Sequence, residues 1–409
     1  MAKLNPNYKK LSAGYLFPEI SRRVNAYLKD HPDAQILKLG IGNTTEPLTP
    51  AVIRGLHHGV DKLAAVESYT GYGEYHGEAP IRSALQKLYK TYGVDLNVEE
   101  FFVSDGAKPD SSNLQSIFSA DSVVAVQDPA YPVYVDSNVI AGRTGKYNPD
   151  KGLYEGLVYM PCTEENAFFP ELPTEKADLI YLCSPNNPTG AVAPREQLKS
   201  FVEYALENRA VIFFDAAYSA FIQDPSLPRS IYEIAGAKQC AIEINSFSKV
   251  AGFTGVRLGW SVVPFALTIE GAQPGEIRDT WMRRQSTFFN GPSNVVQDGG
   301  LAALSDEGRN ECARLVNFYM QNARVIREGL VEMGLTVYGG DNAPYVWVKT
   351  PGGMTSWAFF DKLLREAHVV STPGSGFGPA GEGFLRLSAF GHAEDIQHAV
   401  RSIQDNVRI

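Results

Sequence analysis

Cysteine is scarce in this chain of 409 residues, and the four that it has are widely separated. Cys162, Cys183, Cys240 and Cys312 form no C-x-x-C pair and no cluster with histidine, so the sequence contains no zinc-binding pattern and no dense disulfide framework. The simplest interpretation is a set of reduced thiols in a reducing compartment.

Positive charge and long apolar runs are also lacking. The chain has 37 Lys and Arg against 46 Asp and Glu, a formal net charge of -9, and therefore no basic footprint for nucleic acid or an anionic membrane. No segment approaches the roughly 18 uninterrupted apolar residues of a membrane span, and residues 1–20 contain no signal-peptide core. These absences predict a soluble cytoplasmic protein.

A metal site is not indicated either. His57 and His58 are adjacent, but neighbouring residues of a helix point apart, and no third ligand is evident. We expect both to be surface residues and no metal to be bound.

The middle of the chain contains short apolar segments separated by stretches with helical spacing. The helical stretch 195–208 places four apolar residues on one face: Leu198, Phe201, Val202 and Ala205. The apolar segments begin near Phe101, Ser122, Asp178, Ala210 and Cys240. Apolar strands that alternate with helices predict an α/β fold with a mostly parallel sheet covered on both sides. Each segment ends in a polar cluster, and open α/β sheets bind ligands at this edge, so five strand ends should converge on one crevice.

The last third of the chain has a different pattern. Amphipathic helices are predicted at 317–334 and 356–367, among strand-like segments at 345–349, 368–372 and 384–390. This mixture predicts a smaller α+β domain, with which the residues before about Leu48 pack.

Three of the strand ends carry candidate ligand-binding residues. Ala107 and Lys108 follow Gly106 at a predicted helix start, where free amides attract phosphate. Tyr131, between two prolines, is either a stacking surface or a buried loop tyrosine. In SPNNPTG, Asn187 is held rigidly enough to hydrogen-bond a ligand.

The other two strand ends carry charge. Asp215 ends a very apolar strand, three residues before Tyr218, and needs either a cationic partner or a role as a helix cap. Ser246, Ser248 and Arg257 are suited to phosphate oxygens, and Lys249 lies among apolar neighbours that lower the pKa of its ammonium and make the amine nucleophilic. A reactive amine, an acid for a ring nitrogen and a phosphate cradle are together the requirements of pyridoxal phosphate.

In this order and at these separations, Asn187-Pro188-Thr189-Gly190, Asp215-x-x-Tyr218, Ser246-x-Ser248-Lys249 and Arg257 resemble the fold type I pyridoxal-phosphate aminotransferases. The similarity is closest to the LL-diaminopimelate aminotransferase branch and runs nearly end to end, through segments such as GYLFPEI, LGIGNTTEP, SFSKVAGFTGVRLGW, NAPYVWV and TPGSGFGPAGEGFLRLSAFG. The resemblance implies an aspartate-aminotransferase-like fold with a mostly parallel seven-stranded sheet. It assigns residues 48–295 to the large cofactor-binding domain, and 1–47 with 296–409 to the small domain.

The resemblance also implies roles for the candidate residues. Lys249 would hold the cofactor covalently and move the substrate's proton, with Asp215 on the ring nitrogen and Tyr131 stacked near the ring. Tyr218 and Asn187 would bond the ring oxygen. The phosphate would be held by Ala107, Lys108, Ser246, Ser248 and Arg257, with Tyr72 and Asn290 reaching the site from a second subunit of a homodimer.

For the substrate, the resemblance implies exchange of an amino group between LL-2,6-diaminopimelate and 2-oxoglutarate, on the way to lysine. Arg386 would bind the substrate carboxylate. The remaining substrate contacts would come from Tyr15, Gly42, Lys108, Tyr131, Asn187 and Asn290. The sequence departs from the family pattern at Tyr75, where an acidic residue is expected, and the acid is Glu74, one place earlier.

Other interpretations are weaker. Gly376, Gly378 and Gly381 fit the dinucleotide pattern G-x-G-x-x-G, but they lead to a predicted strand where that pattern requires a helix. A transcription regulator with a degenerate aminotransferase domain would need a basic helix-turn-helix, which the first 45 or so residues do not resemble. A carbon–sulfur lyase, or an aminotransferase with a different donor such as lysine or aspartate, shares the core residues and stays open.

Overall fold

The structure is a computed structural model, and it describes residues 1–12 and 16–409. The β-strands are β1 (Leu37–Lys38), β2 (Phe101–Ser104), β3 (Val124–Asp128), β4 (Tyr147–Asn148), β5 (Leu153–Tyr154), β6 (Leu157–Pro161), β7 (Leu179–Cys183), β8 (Val211–Asp215), β9 (Ala241–Ser246), β10 (Gly259–Val262), β11 (Val337–Gly339), β12 (Tyr345–Lys349), β13 (Val369–Val370), β14 (Thr372–Pro373) and β15 (Phe384–Ser388). The α-helices are α1 (Leu16–Asp30), α2 (Pro50–Lys62), α3 (Ala79–Thr91), α4 (Ala107–Asn113), α5 (Val133–Ala141), α6 (Arg195–Asn208), α7 (Phe247–Val250), α8 (Glu276–Phe288), α9 (Asn294–Leu304), α10 (Asp306–Glu332), α11 (Ser356–Ala367) and α12 (Ala393–Asn406). Within the described ranges, none of these helices combines the length and apolar character that crossing a bilayer requires.

The largest sheet has seven strands in the order β2-β10-β9-β8-β7-β3-β6. Neighbouring strands are parallel except β10, which is antiparallel to both β2 and β9. The five apolar segments singled out in the sequence are β2, β3, β7, β8 and β9. The prediction of a mostly parallel sheet is therefore confirmed, and because β2 and β9 share one direction, all five carboxyl ends lie at the same edge.

Both faces of this sheet are buried. Along β8, Phe213 packs into the core on one face and Phe214 into the core on the other, because successive residues of a strand point to opposite sides. Helix α6 covers the face on which Phe214 lies, and the four residues buried on α6 are those predicted from its spacing. Because both faces are covered, successive residues of the five apolar strands are all buried, which explains why these strands are apolar throughout rather than alternating.

A second, four-stranded antiparallel sheet has the order β11-β12-β15-β14 and packs in a separate core with α11 and α12. Strand β1 pairs in parallel with β13, and α1 contributes Ile20, Val24 and Tyr27 to the edge of this core. Helix α1 and strand β1 thus pack with the last third. The residues that precede α1 differ: Leu11 packs on the core of the large sheet, and Lys10 donates to the Thr144 carbonyl at 2.8 Å.

Helix α10 connects the two cores. Its first part places Cys312 in the core of the large sheet, and its last part places Ile326 and Leu330 in the core of the small sheet. Ala303 of α9 also belongs to the core of the large sheet, although it follows residue 295. The border between the domains stays a prediction.

Candidate active site

The strand ends meet as the sequence pattern predicts. In the sheet register, Cys183 at the end of β7 is opposite Asp215 at the end of β8, and Gly259 of β10 is opposite both Ser104 and Ser246. A cavity of about 380 Å³ opens at this edge. Twelve of the residues singled out in the sequence line it: Gly42, Ala107, Lys108, Tyr131, Asn187, Asp215, Tyr218, Ser246, Ser248, Lys249, Arg257 and Arg386.

Lys249 lies on α7, directly after the end of β9. Its Nζ donates a hydrogen bond to the carbonyl oxygen of Gly42 and lies 5.2 Å from the centre of the Phe390 ring. Burial, together with the positive charges of Arg386 and Arg257, lowers the pKa of Lys249 to about 7. A large fraction of this amine is therefore uncharged and nucleophilic near neutral pH.

Asp215 is 8% exposed, and burial raises the pKa of its carboxyl group. Tyr134 donates its hydroxyl proton to Oδ2 at 2.7 Å, and the Ala217 amide donates to Oδ1 at 3.0 Å. Among the described residues, no cationic side chain pairs with this carboxylate. Asp215 caps none of the described helices, because the helical turn that follows begins at Ser219 and has Tyr218 as its N-cap. The carboxylate faces the cavity instead, where a protonated ring nitrogen would supply the missing cation.

A cradle for a dianion surrounds the start of α4. The first amides of a helix have no intrahelical acceptor, which leaves those of Ala107 and Lys108 available at the cavity. Arg257 has a backbone φ of +72°, a left-handed conformation that costs about 1–2 kcal/mol in a residue with a side chain. Gly106 has a φ of +136°, and a Cβ there would lie 2.5 Å from Nη2 of Arg257. The backbone is thus shaped to bring this guanidinium against the helix start.

Two serines complete the cradle. Ser246 caps α7, its Oγ accepting a hydrogen bond from the Ser248 amide at 3.0 Å. Arg257 donates from Nη1 to the Ser248 hydroxyl at 3.4 Å and to the Thr254 carbonyl at 3.1 Å. Hydroxyls, helix amides and a guanidinium at one end of the cavity fit a phosphate group.

Arg386 also lines the cavity; it lies on β15 and is 2% exposed. It donates to Oδ1 of Asn187 at 2.7 Å and to the Gly40 carbonyl at 2.7 Å. Its guanidinium carbon lies 4.5 Å from the Tyr345 ring centre and 4.9 Å from that of Phe377. Within the part of the chain that the structure describes, its Nε has no acceptor. A planar cation with an unused buried donor is suited to a carboxylate ligand.

Comparison with known proteins identifies the family that has this arrangement. A family model described as aminotransferase class I and II matches residues 34–403. The L,L-diaminopimelate aminotransferase of Chlamydomonas reinhardtii is 48% identical, with a TM-score of 0.92 over 99% of this chain and 98% of that one. This chain belongs to the class I and II aminotransferases. Substrate-bound BacF of Bacillus subtilis is 28% identical, with a TM-score of 0.82 over 99% of this chain and 98% of that one.

The fold assignment has independent support. An aspartate aminotransferase of Thermus thermophilus, a single mutant, is 21% identical and aligns over 99% of this chain and 100% of that one, with a TM-score of 0.83. The expected aspartate-aminotransferase-like fold is therefore confirmed. Pyridoxal phosphate is the cofactor of this family, so the expected cofactor is confirmed as well.

Two predicted residues of this aminotransferase lie away from the cavity. Tyr72 and Asn290 are exposed and line a separate surface cleft together with Glu74 and Tyr75. Tyr15, the remaining predicted substrate contact, lies outside the described residues. Tyr72 and Asn290, the two residues predicted to reach the active site of a second subunit, thus lie together on one exposed surface of the chain.

Sequence reasoning missed several residues that line the cavity. The hydroxyl of Tyr345 lies 2.8 Å from that of Tyr218, and Tyr134 contacts Asp215. Tyr345 lies in the family-like segment NAPYVWV, and Tyr134 follows Tyr131 by three residues, at helical spacing. The others are Phe17, Ile41, Asn43, Cys183, Ala217 and Thr254.

The structure also locates the residues on which the weaker interpretations rested. Gly376 and Gly381 lie in two 3-10 turns between β14 and β15, and Gly378 lies between those turns. Among the described residues, no α-helix follows them before β15. His57 and His58 lie exposed on α2. Among the described residues, no group of three or more His, Cys, Asp or Glu side chains could hold a metal ion.

Proposed function

We propose that this aminotransferase exchanges an amino group between LL-2,6-diaminopimelate and 2-oxoglutarate, in a ping-pong cycle. In the biosynthetic direction it forms LL-diaminopimelate from tetrahydrodipicolinate with glutamate as donor, on the way to lysine. The observation that carries the proposal is the 48% identity, over nearly the whole of both chains, to an enzyme named for that substrate.

Each residue that lines the cavity has a separate proposed role. When bound, pyridoxal phosphate supplies an aldehyde that joins an amine and a ring that accepts electrons. Lys249 anchors the cofactor and then, with its lowered pKa, takes and returns the proton of the substrate's α-carbon. Asp215 would hold the ring nitrogen in its protonated form, Tyr131 would stack near the ring, and Tyr218 and Asn187 would hydrogen-bond the ring oxygen.

Two groups of residues in the cavity would hold the two anionic groups of the ligands. The phosphate would be held by Ala107, Lys108, Ser246, Ser248 and Arg257. Arg386 binds the α-carboxylate of the amino acid, and its contact with Asn187 links this cation to the cofactor side of the cavity. Gly42 and Lys108 would line the distal part of the substrate pocket. Tyr15, which lies outside the described residues, stays a predicted substrate contact.

A second copy of the chain completes the site. Val66, Tyr69, Tyr72 and Phe288 are large apolar residues with high exposure, 90% for Tyr72 and 75% for Phe288. Apolar side chains exposed to this degree are typical of a protein–protein contact. The homodimer would bring Tyr72 and Asn290 of one subunit to the phosphate and substrate of the other, and Glu74 with them.

The domain border and the cellular location belong to the same proposal. The large domain comprises residues 48–295, and residues 1–47 with 296–409 form the small domain, with α10 crossing between them. The location is cytoplasmic, which agrees with four cysteines that are all buried free thiols.

The test is a panel of amino donors assayed with 2-oxoglutarate under identical conditions. The proposal predicts that LL-diaminopimelate has the highest kcat/KM, well above those of aspartate, alanine and lysine. A clear preference for any of those three donors would overturn the substrate, and release of a sulfur product from a cysteine-type donor would indicate a lyase instead.

A further inference from the structure

We infer that Tyr134 is a positioning residue for the cofactor, which fixes the Asp215 carboxylate and keeps it ionised opposite the ring nitrogen. The inference rests on the role proposed for Asp215, and it is independent of which amino acid is the substrate. Neither the motifs of the sequence nor the family resemblance singled out Tyr134.

The contact is direct and buried. Tyr134 lies in the first turn of α5 and is 2% exposed. Its hydroxyl donates to Oδ2 of Asp215 at 2.7 Å, and the only other described donor to this carboxylate is the Ala217 amide on Oδ1. Each carboxylate oxygen thus has one protein donor, and both have lone pairs left for a ligand in the cavity.

The tyrosine ring is itself held in place. It stacks on Tyr181, with ring centres 5.1 Å apart and planes inclined by 23°. It meets Tyr131 edge to face, with centres 6.0 Å apart and planes inclined by 81°. Tyr131 is the ring proposed to stack on the cofactor, so Tyr134 touches both cofactor-binding groups, and its rotation is limited by aromatic contacts on two sides.

The direction of the electrostatic effect follows from the contacts. Burial raises the pKa of Asp215, and the Tyr134 hydrogen bond is the first of two contacts that lower it. Burial and the negative charge of Asp215 raise the pKa of Tyr134, so this hydroxyl stays protonated and acts as the donor. Without the hydroxyl, the Asp215 carboxylate competes more strongly with the ring nitrogen for the proton between them. The ring nitrogen is then protonated less, and the ring is a weaker electron acceptor.

Tyr181 provides a matched control. It is also a buried tyrosine, and it stacks on Tyr134 without lining the cavity. Its hydroxyl donates to the Ser111 carbonyl at 3.1 Å. Tyr134→Phe and Tyr181→Phe each remove one buried hydroxyl and keep the aromatic packing, but only the first removes a donor to Asp215.

The experiment compares both variants with the wild type, loaded with pyridoxal phosphate. The readouts are the pH midpoint of the visible absorption band, the cofactor dissociation constant and kcat. For Tyr134→Phe we expect the midpoint to rise by about one pH unit. A ring with less positive charge repels the proton on the Lys249 nitrogen less, so that nitrogen keeps its proton to higher pH. The cofactor dissociation constant should rise about tenfold and kcat should fall about tenfold, with KM changing less. Tyr181→Phe should leave all three near wild-type values.

A double-mutant cycle separates positioning from a structural role. If Tyr134 acts through Asp215, then Tyr134→Phe has little further effect on the absorption midpoint of an Asp215→Asn variant. An unchanged midpoint in Tyr134→Phe alone, equal shifts in both tyrosine variants, or full additivity with Asp215→Asn would each overturn the inference. The absorption readout needs no amino donor, so failure of the substrate proposal would leave this test intact.

Discussion

Lys249 and Asp215 show how one cavity shifts two side chains in the directions that the chemistry needs. Burial disfavours charge on both, which lowers the pKa of the amine to about 7 and raises that of the carboxyl group. The neighbouring Arg386 and Arg257 lower the pKa of the amine further, whereas Tyr134 and the Ala217 amide partly restore the acidity of the carboxyl group. The result is an uncharged Lys249 amine that can act as a nucleophile, and an Asp215 carboxylate that can still accept a hydrogen bond from a cationic ligand.

The state of Lys249 gives a prediction for the cofactor-free protein. Competitive acetylation over a range of pH, followed by peptide mass analysis, should give Lys249 half-maximal reactivity near pH 7. In the urea-denatured protein, the same residue should react with a midpoint near the ordinary value of about 10.4. Between those two pH values the amine is protonated in the unfolded protein and uncharged in the folded protein. The free energy of unfolding should therefore increase, and the folded state gain stability, as the pH rises through that window.

The denatured protein is the control for intrinsic reactivity. A native midpoint near 10 would mean that the amine is fully hydrated and would contradict the buried position of Lys249.

At the scale of elements, the turn between β2 and α4 shapes the proposed phosphate cradle. Gly106 approaches Arg257 so closely that a Cβ would lie 2.5 Å from Nη2, and Gly259 of β10 would place a Cβ 2.8 Å from the Cα of Gly106. The strand, the turn and the arginine therefore pack without space for a side chain at either glycine.

Gly106→Ala should weaken cofactor binding about tenfold or more, because the new methyl group displaces the Arg257 guanidinium and strains a positive φ. Fluorescence titration of the cofactor-free variant with pyridoxal phosphate measures this change. Gly93→Ala is the matched control, since Gly93 also has a positive φ, of +75°, but nothing lies within 4 Å of its Cβ position. Similar losses in both variants would show that backbone strain alone is responsible and would refute the steric argument.

The elements also show where sequence reasoning succeeds and where it stops. Strands β7 and β8 and helix α6 were predictable, because continuous apolar runs and 3.6-residue spacing are local signals of burial. The contacts of Tyr134 with Asp215 and of Tyr345 with Tyr218 were not, because they join segments 81 and 127 positions apart, for which no local pattern exists. Helix α10 begins at Asp306, earlier than its predicted start at 317, because its first turns pack on the large sheet.

At the scale of the whole molecule, the proposed dimer makes each active site a product of two chains. Lys249 lines the central cavity, whereas Tyr72 lies on an exposed surface cleft of the same chain. A twofold axis that joins two copies through this surface creates two equivalent composite sites.

Mixing two inactive variants tests this arrangement. Lys249→Ala and Tyr72→Ala should each lose most activity, and their co-expression should restore up to about a quarter of the wild-type rate, because half of randomly mixed dimers are hybrids with one intact site. Purification of the hybrid through two different tags raises the expected value to about half. Co-expression of Lys249→Ala with Asp215→Asn is the control and should restore nothing, since both residues belong to the same chain's cavity. Restoration in the control, or none in the test pair, would contradict a site shared between subunits.

The central claim is that the amine of Lys249 carries the cofactor, with its ring nitrogen facing Asp215. Borohydride reduction of the cofactor-loaded enzyme, followed by peptide mass mapping, tests the claim most directly. The account predicts one stoichiometric pyridoxyl-phosphate adduct, on Lys249. An adduct on Lys108 or another lysine, or no adduct at all in an enzyme that turns over, would contradict it.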